Sequence, residues 1–446
     1  MKKSMFWGMT VLVITVVLTV LSGCLRNSEP EKEDTTRQSG GNKETSEKEE
    51  AKAGTLNFVH LMNSPYYESM ERLCARYSKE NPEIDFEQEV LKADARYTVL
   101  KTRIASGNIP HLFMSVESGP SMAQWKDGAV DLSDETWWDE ILPAAYPLVT
   151  MDDKKIAFPF TANVWGLLYN KDVFQKAGIT ELPKTLAGLK DVAATLKSQG
   201  ITPFGEGFKD SWVTYQLFRM PFGHDLGDFT DILARFEEYN AGEAKVSEDT
   251  WLPKLLDLMQ VIKDNTQQNP FNTDFTMQIQ MLANGEVGMI TQGDWAEPPA
   301  RQVNPDCNIG IMLMPFSEDP KDAKIFTQYV ARTIFVGRNT DNIQGAKNFI
   351  EWMATSKWVK DWYNKDLQNI APIKGVAPEG KTVQILEDAA KLYANPANAA
   401  PWGAYIAPAE LFGLFPSIQE EFFLGKKTKQ EMIDAVSTAW YNYSQQ

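Results

Sequence analysis

AFPFTANVWGLLYNKDVFQKAGI, residues 157–179, is where the chain passes from one α/β region into a second. WGLLYN (165–170), inside it, reads as a strand. Upstream, strand and helix patterns alternate. LNFVHL (56–61) is a short apolar strand, after which Tyr66, Met70, Leu73, Cys74 and Tyr77 recur at helical spacing until Asn81-Pro82 ends the helix. IDFEQEV (84–90) alternates like a strand, Tyr97, Leu100 and Ile104 mark a helix, and LFMSV (112–116) is a strand beyond Gly107 and Pro110. Strand–helix–strand units of this length predict a parallel sheet with right-handed crossovers. Such sheets bind ligands at the carboxyl ends of their strands. Here those ends are His60 to Ser64 and Ser115 to Ser118.

Downstream, Thr185 caps a helix carrying Leu189, Val192, Ala193 and Leu196, which Gly200 ends. ITPFGEG (201–207) is a strand and loop, and Leu255, Leu258, Met259 and Ile262 share one face of a helix over 251–263. VGMITQG (287–293), IGIMLMPF (309–316) and YVARTIFV (329–336) are strand-like, Ala346 to Met353 is helical, and two helical patterns (410–424 and 429–443) close the chain. A body of this length predicts two lobes rather than one core.

The ends and the composition set the setting. Lys2 and Lys3 precede an uncharged run from Met5 to Leu21, then Leu21-Ser22-Gly23-Cys24. A short apolar run behind two lysines reads as a secretory signal (1–23) rather than a spanning helix. Its ending resembles the bacterial lipobox, which makes Cys24 the lipidated residue; two acyl chains there give lasting membrane attachment. Residues 24–54 hold this cysteine and a polar stretch without aromatics, which predicts a disordered tether. The net charge of −16 argues against nucleic acid as a partner. Cys74 and Cys307 sit far apart in dissimilar contexts and are expected as buried free thiols. The three histidines are isolated, and no HExxH, CxxC pair, GxSxG or P-loop occurs, so neither a metal nor a cofactor is expected at the site. The acidic cluster Asp131 to Glu140 reads as a solvated helix start, with a structural metal held by carboxylate and backbone oxygens as the alternative.

Phe-Pro, a short loop, Gly-Leu-Leu-Tyr-Asn-Lys-Asp, then Phe and Ala-Gly-Ile within 157–179 resemble the extracellular solute-binding proteins of bacterial ABC importers, in the carbohydrate-binding subgroup that includes maltose-binding protein. Pro183-Lys184-Thr185, Gly200 to Pro203, Gly293-Asp294-Trp295, Ala346 to Trp352 and Ile370-Ala371-Pro372 follow in the family's order, so the resemblance covers residues 55–446. It departs at Pro110-His111, where the family often has Pro-Asp. The resemblance implies a periplasmic-binding-protein-like fold of two α/β domains, 55–159 plus 327–372 and 160–326 plus 373–446. Hinge crossings join the domains near Phe158 to Thr161, Ile325 to Tyr329 and Pro372 to Val376, and the ligand lies in the cleft between them. It also implies a monomer that closes around a carbohydrate and delivers it to the membrane subunits of an importer.

MITQGDWAEP (289–298) places a tryptophan just where a strand has ended. A pyranose shows a face of C–H groups and edges of hydroxyls; an indole suits the face, and carboxylates, amides and guanidinium groups suit the edges. Trp295 is therefore a candidate platform, with Asp294 as an edge partner; an ordinary core aromatic is the alternative. Trp402, in a Pro/Ala/Gly loop, is the second platform, with Tyr405 as a companion. Trp165 faces either cleft or hinge, and Trp212, beside Lys209 and Asp210, contacts either ligand or its own helix. His60 and Asn63, Ser115 and Glu117 end strands of the first lobe, and Tyr329 and Arg332 lie near the second crossing. Two other functions fit the same residues. A lipid-anchored glycosidase needs only two carboxylates suitably apart, and the same cleft could hold a peptide or another non-sugar solute.

Overall fold

The computed structural model describes residues 52–92, 95–377, 384–402 and 409–445. Cys24 and Tyr405 lie outside them. Among the described residues, nine strands join one mixed sheet: β1 (Gly54–His60), β2 (Ile84–Val90), β3 (Leu112–Ser115), β4 (Phe158–Asn170), β5 (Thr202–Phe204), β6 (Val287–Gly293), β7 (Ile309–Met312), β8 (Ile325–Val336) and β9 (Ala399–Pro401). Their order is β2-β1-β3-β8-β4-β6-β5, with β9 beside β8 and β7 beside β4. β1 pairs in parallel with both β2 and β3, as the strand–helix–strand pattern requires, whereas β8 runs antiparallel to β3 and β4.

Two-residue periodicity builds the sheet's second half. Leu167 on β4, Met289 on β6 and Met312 on β7 enter one core, while their neighbours Leu168, Ile290 and Ile311 enter another on the opposite face. All seven residues of β6 are buried, which is the burial of a strand covered by helices on both sides. The helix Leu186–Ser198 turns Leu189, Val192 and Leu196 toward the first of these cores. Thr185 accepts a hydrogen bond from the Gly188 N–H at 3.1 Å, and Gly200, at φ +75°, lets the chain leave the helix. Cys74 and Cys307 are buried free thiols.

A third core collects β1, β3 and the helices Tyr66–Glu80 and Ile343–Thr355. Among the described residues, β4 and β8 pass between it and the others. On β4 the buried residues change core between Phe160 and Val164, and on β8 between Phe326 and Val330; Ile373 belongs to this third core and Ile385 to another. The β4–β8 pairing is irregular here: Gln328 pairs with Asn163 and Arg332 with Thr161, with a register shift between them. Two lobes therefore share one sheet through strands whose ladder is interrupted at the junction.

At His111 the ring takes over a backbone contact. Its Nδ1 accepts from the Asn57 N–H at 3.1 Å and its Nε2 lies 2.7 Å from Asp341. Among the described residues, no helix is long and apolar enough to cross a membrane, and no group of three His, Cys, Asp or Glu is placed to hold a metal.

Candidate functional site

The carboxyl ends of β1 and β3 form the first wall. After β3 the chain places Glu117 where four donors converge. Arg96, from the start of the helix Arg96–Ser106, approaches one oxygen at 3.3 Å, and the Trp125 Nε1–H donates to the other at 3.2 Å. The hydroxyls of Tyr97 and Ser115 donate to the same carboxylate. Arg96 and Glu117 are 4 % and 2 % exposed, so this pair is an internal brace with one edge on the cleft. Burial works against the charge on Arg96, but Glu117 and the nearby Tyr97 and Tyr215 more than compensate, and the guanidinium titrates above its usual range. Asn63 and Tyr66 stand beyond the end of β1. The Tyr66 hydroxyl reaches across to the Trp295 carbonyl at 3.4 Å.

The opposite wall grows from β6. Beyond Gly293 the chain makes a single 3-10 turn, Asp294–Ala296, before the helix Glu297–Val303. Asp294 turns inward, where its Oδ1 accepts the Val164 N–H at 2.8 Å. Burial pushes its carboxyl up to about 7, and the Val164 hydrogen bond and Arg332 only partly offset that. Trp295 folds back over the strand end, and a Cβ at position 293 would overlap its six-membered ring. Glycine there is what lets the indole lie down. Trp402 lies beside it, with ring centroids 6.0 Å apart and planes 7° from parallel. Farther along, Trp212 packs on Phe275 at 4.9 Å, and Asp210 accepts the Phe275 N–H at 2.8 Å.

Between the walls lies a cavity of about 490 Å³, within the range of small-molecule sites. Of the residues expected at a site, it gathers Trp295, Trp402, Trp212, Asp210, Asn63, Glu117 and Arg332. The structure places the others elsewhere. Trp165 is fully buried, edge-on to Phe326 at 5.7 Å, because its side of β4 faces the core. His60 is also buried: its Nδ1 accepts from the Met62 N–H and its Nε2 lies 3.1 Å from Gln88, while burial lowers its pKa to about 4 and keeps the ring neutral. Ser115 serves Glu117, Asp294 sits behind the wall, and Lys209 pairs with Asp274 at 3.6 Å. Tyr329, 48 % exposed, does not line the cavity.

Sequence reasoning missed Tyr66, Arg96, Asn163, Gln216, Arg219 and Gln328, which also line it. A signal existed for Gln216: it is an amide among the buried Val213, Thr214, Leu217 and Phe218 of the helix Ser211–Arg219, where an apolar residue would be cheaper. Asn163 and Gln216 are 4 % and 5 % exposed, and neither side-chain oxygen has a hydrogen-bond partner among the described residues.

Residues 63–360 match the family described as bacterial extracellular solute-binding protein. The multiple sugar-binding protein of Streptococcus mutans is 23 % identical over 313 residues, 69 % of this chain and 73 % of its own. The melibiose/raffinose/stachyose-binding protein MelE of Bacillus subtilis is 22 % identical over 355 residues, 77 % of this chain and 76 % of its own. The solved structure of the solute-binding protein RafE in complex with raffinose superimposes with a TM-score of 0.73 at 21 % identity, covering 88 % of this chain and all of that one.

Proposed function

The chain belongs to the bacterial extracellular solute-binding proteins, and from that premise we propose that it captures an oligosaccharide between its lobes for an ABC importer. The parallel pair Trp295 and Trp402 carries this reading. Both parallel indoles line the cavity, where an aromatic face can stack on the C–H face of a pyranose. The unpartnered oxygens of Asn163 and Gln216 are acceptors without donors, and sugar hydroxyls are donors. A buried acceptor left unpaired costs about 1–3 kcal/mol, which a bound hydroxyl would relieve. The sugars named for MelE and RafE fit this chemistry.

Capture proceeds by closure. Contacts made to both walls at once exist only when the lobes approach, so a ligand touching Asn63 and Trp295 together favours the closed form. The interrupted β4–β8 ladder and a crossing near Pro372 to Val376 supply the hinge, with lobes at 55–159 plus 327–372 and 160–326 plus 373–446. A catalytic role is disfavoured because both cavity carboxylates are committed: Glu117 accepts from four donors and Asp210 from a backbone N–H. The protein acts as a monomer on the extracytoplasmic face, held there through a lipid on Cys24.

A thermal-shift screen against mono- and oligosaccharides, with peptides alongside, tests the reading. A ligand at a hundredfold excess over Kd stabilises the folded protein by about 2.7 kcal/mol. A shift with an oligosaccharide and no cleavage of it is expected. Shifts with peptides alone would sink the carbohydrate assignment.

A further inference from the structure

Behind Trp295 lies a run of polar side chains that a strand-and-helix core does not need. The indole Nε1–H donates to Gln292 Oε1 at 2.9 Å, and Gln292 Nε2 donates to Gln278 Oε1 at 2.8 Å. Gln278 Nε2 in turn donates to the Gly205 carbonyl at 2.9 Å and approaches Glu206 Oε2 at 3.3 Å, where the Thr291 hydroxyl also donates at 2.7 Å. Gln292, Gln278 and Glu206 are 0 % exposed and Thr291 1 %.

The direction of this chain is not arbitrary. An indole N–H can only donate, so Gln292 must turn its oxygen to Trp295 and its amide nitrogen to Gln278. Gln278 must then present its own nitrogen to Gly205 and Glu206. Each amide has one orientation that satisfies both neighbours, and the carboxyl end accepts what the indole end began. Leucine or methionine at these positions would fill the space without the desolvation cost of three polar side chains. What apolar side chains cannot supply is a directed hold on the indole.

We propose that Gln292, Gln278 and Glu206 are positioning residues that hold the ring plane of Trp295 at the angle its stacking partner requires. That partner is a sugar ring on the reading above, on which the binding half of this inference rests. Gly293 gives the indole room to lie back over the strand end, the parallel Trp402 bounds it on one side, and the relay sets its rotation. Burial pushes the Glu206 carboxyl up to about 8, so at neutral pH the relay ends in a group that is largely uncharged and adds no buried ion to the core.

The test reads the indole directly, in the whole protein with ¹⁵N-labelled tryptophan and Trp295 assigned by Trp295→Phe. Glu206→Met, three hydrogen bonds from the ring, is expected to move the Trp295 indole N–H resonance and speed its exchange, with the remaining indoles unmoved. The double variant Gln278→Met/Gln292→Met replaces both amides by apolar side chains of similar length and leaves the Trp295 indole N–H and the Gly205 carbonyl without those partners. It is expected to fold with a lowered melting temperature and to bind the oligosaccharide found by thermal shift about tenfold more weakly, a difference of about 1.4 kcal/mol. An unmoved Trp295 resonance in Glu206→Met overturns the relay. A moved resonance with undiminished affinity in the double variant overturns its part in recognition. If the wild type binds no sugar at all, the oligosaccharide reading fails separately, because the resonance is read without ligand.

Discussion

The two walls of the cleft solve opposite problems. The wall from β1 and β3 puts ions and amides at strand ends, with Glu117 held by four donors. The wall from β6 is aromatic: Trp295 comes from the turn after the strand, Trp402 from just beyond β9, and Trp212 and Phe275 from the first turns of two helices. On the first, polar groups are neutralised by one another before any ligand arrives. On the second, aromatic side chains edge onto the cavity, Trp295 9 % and Trp402 4 % exposed, and the polar groups stand behind them. A cleft made of two aromatic walls would risk closing on itself, since burying apolar area yields about 25 cal/mol per Å² with or without a ligand.

The contrast is broken most strongly at Glu117. Glu117→Ala leaves Arg96 buried without its counter-charge, and breaking such a pair costs about 3–5 kcal/mol. Chemical denaturation should show a loss of that order; a loss below about 1 kcal/mol would mean the pair is solvated and not a brace.

Trp295→Ala attacks the second wall. An aromatic platform contributes roughly 2 kcal/mol of affinity, an effect about thirtyfold in Kd. Calorimetric titration of the folded variant with the oligosaccharide found by thermal shift measures it. Unchanged affinity would move the sugar to Trp212 and Phe275.

An effect smaller per pH unit sharpens the comparison by titration. The folded pKa of Glu206 is raised to about 8 from its ordinary 4.5, so between those values the folded state holds a proton that the unfolded chain has released. Its contribution is therefore most favourable below about 4.5 and is lost as pH rises toward 8, at no more than about 1.4 kcal/mol per pH unit. Glu206→Gln should flatten this decline. Equal slopes in the two proteins would show that Glu206 is not the group responsible.

The smallest change is expected far from both walls. Thr185→Ala removes the cap of the helix Leu186–Ser198 and should cost about 1 kcal/mol of stability with no change in Kd. A change in affinity would tie that helix to the cleft.

Much of the scaffold was legible because its signals are local. The spacing of Leu189, Val192 and Leu196, the Thr185 cap and the alternation along β2 each lie within one element. So does the break at Gly293 that exposed Trp295 as unusual. The long β4 was only half visible: WGLLYN reads as a strand, but Phe158–Asn163 joins it only because β8 lies alongside. Trp165 shows the limit from the other side, since nothing near it in the chain says that Phe326 will cover it.

By itself, the sequence determined the alternation of strands and helices, the point where one α/β region gives way to the next, and the tryptophans that lack a helical partner. Periodicity, capping and turn chemistry are short-range, and a reader of the chain has them in full. Tertiary structure alone decided that Trp295 and Trp402 lie parallel, that Arg96 meets Glu117, that Asn163 and Gln216 face one cavity, and that Gln278 reaches Gln292. Those relations depend on which strands become neighbours and which faces turn inward. The choice is made by the packing of whole cores, and no local stretch of residues encodes it.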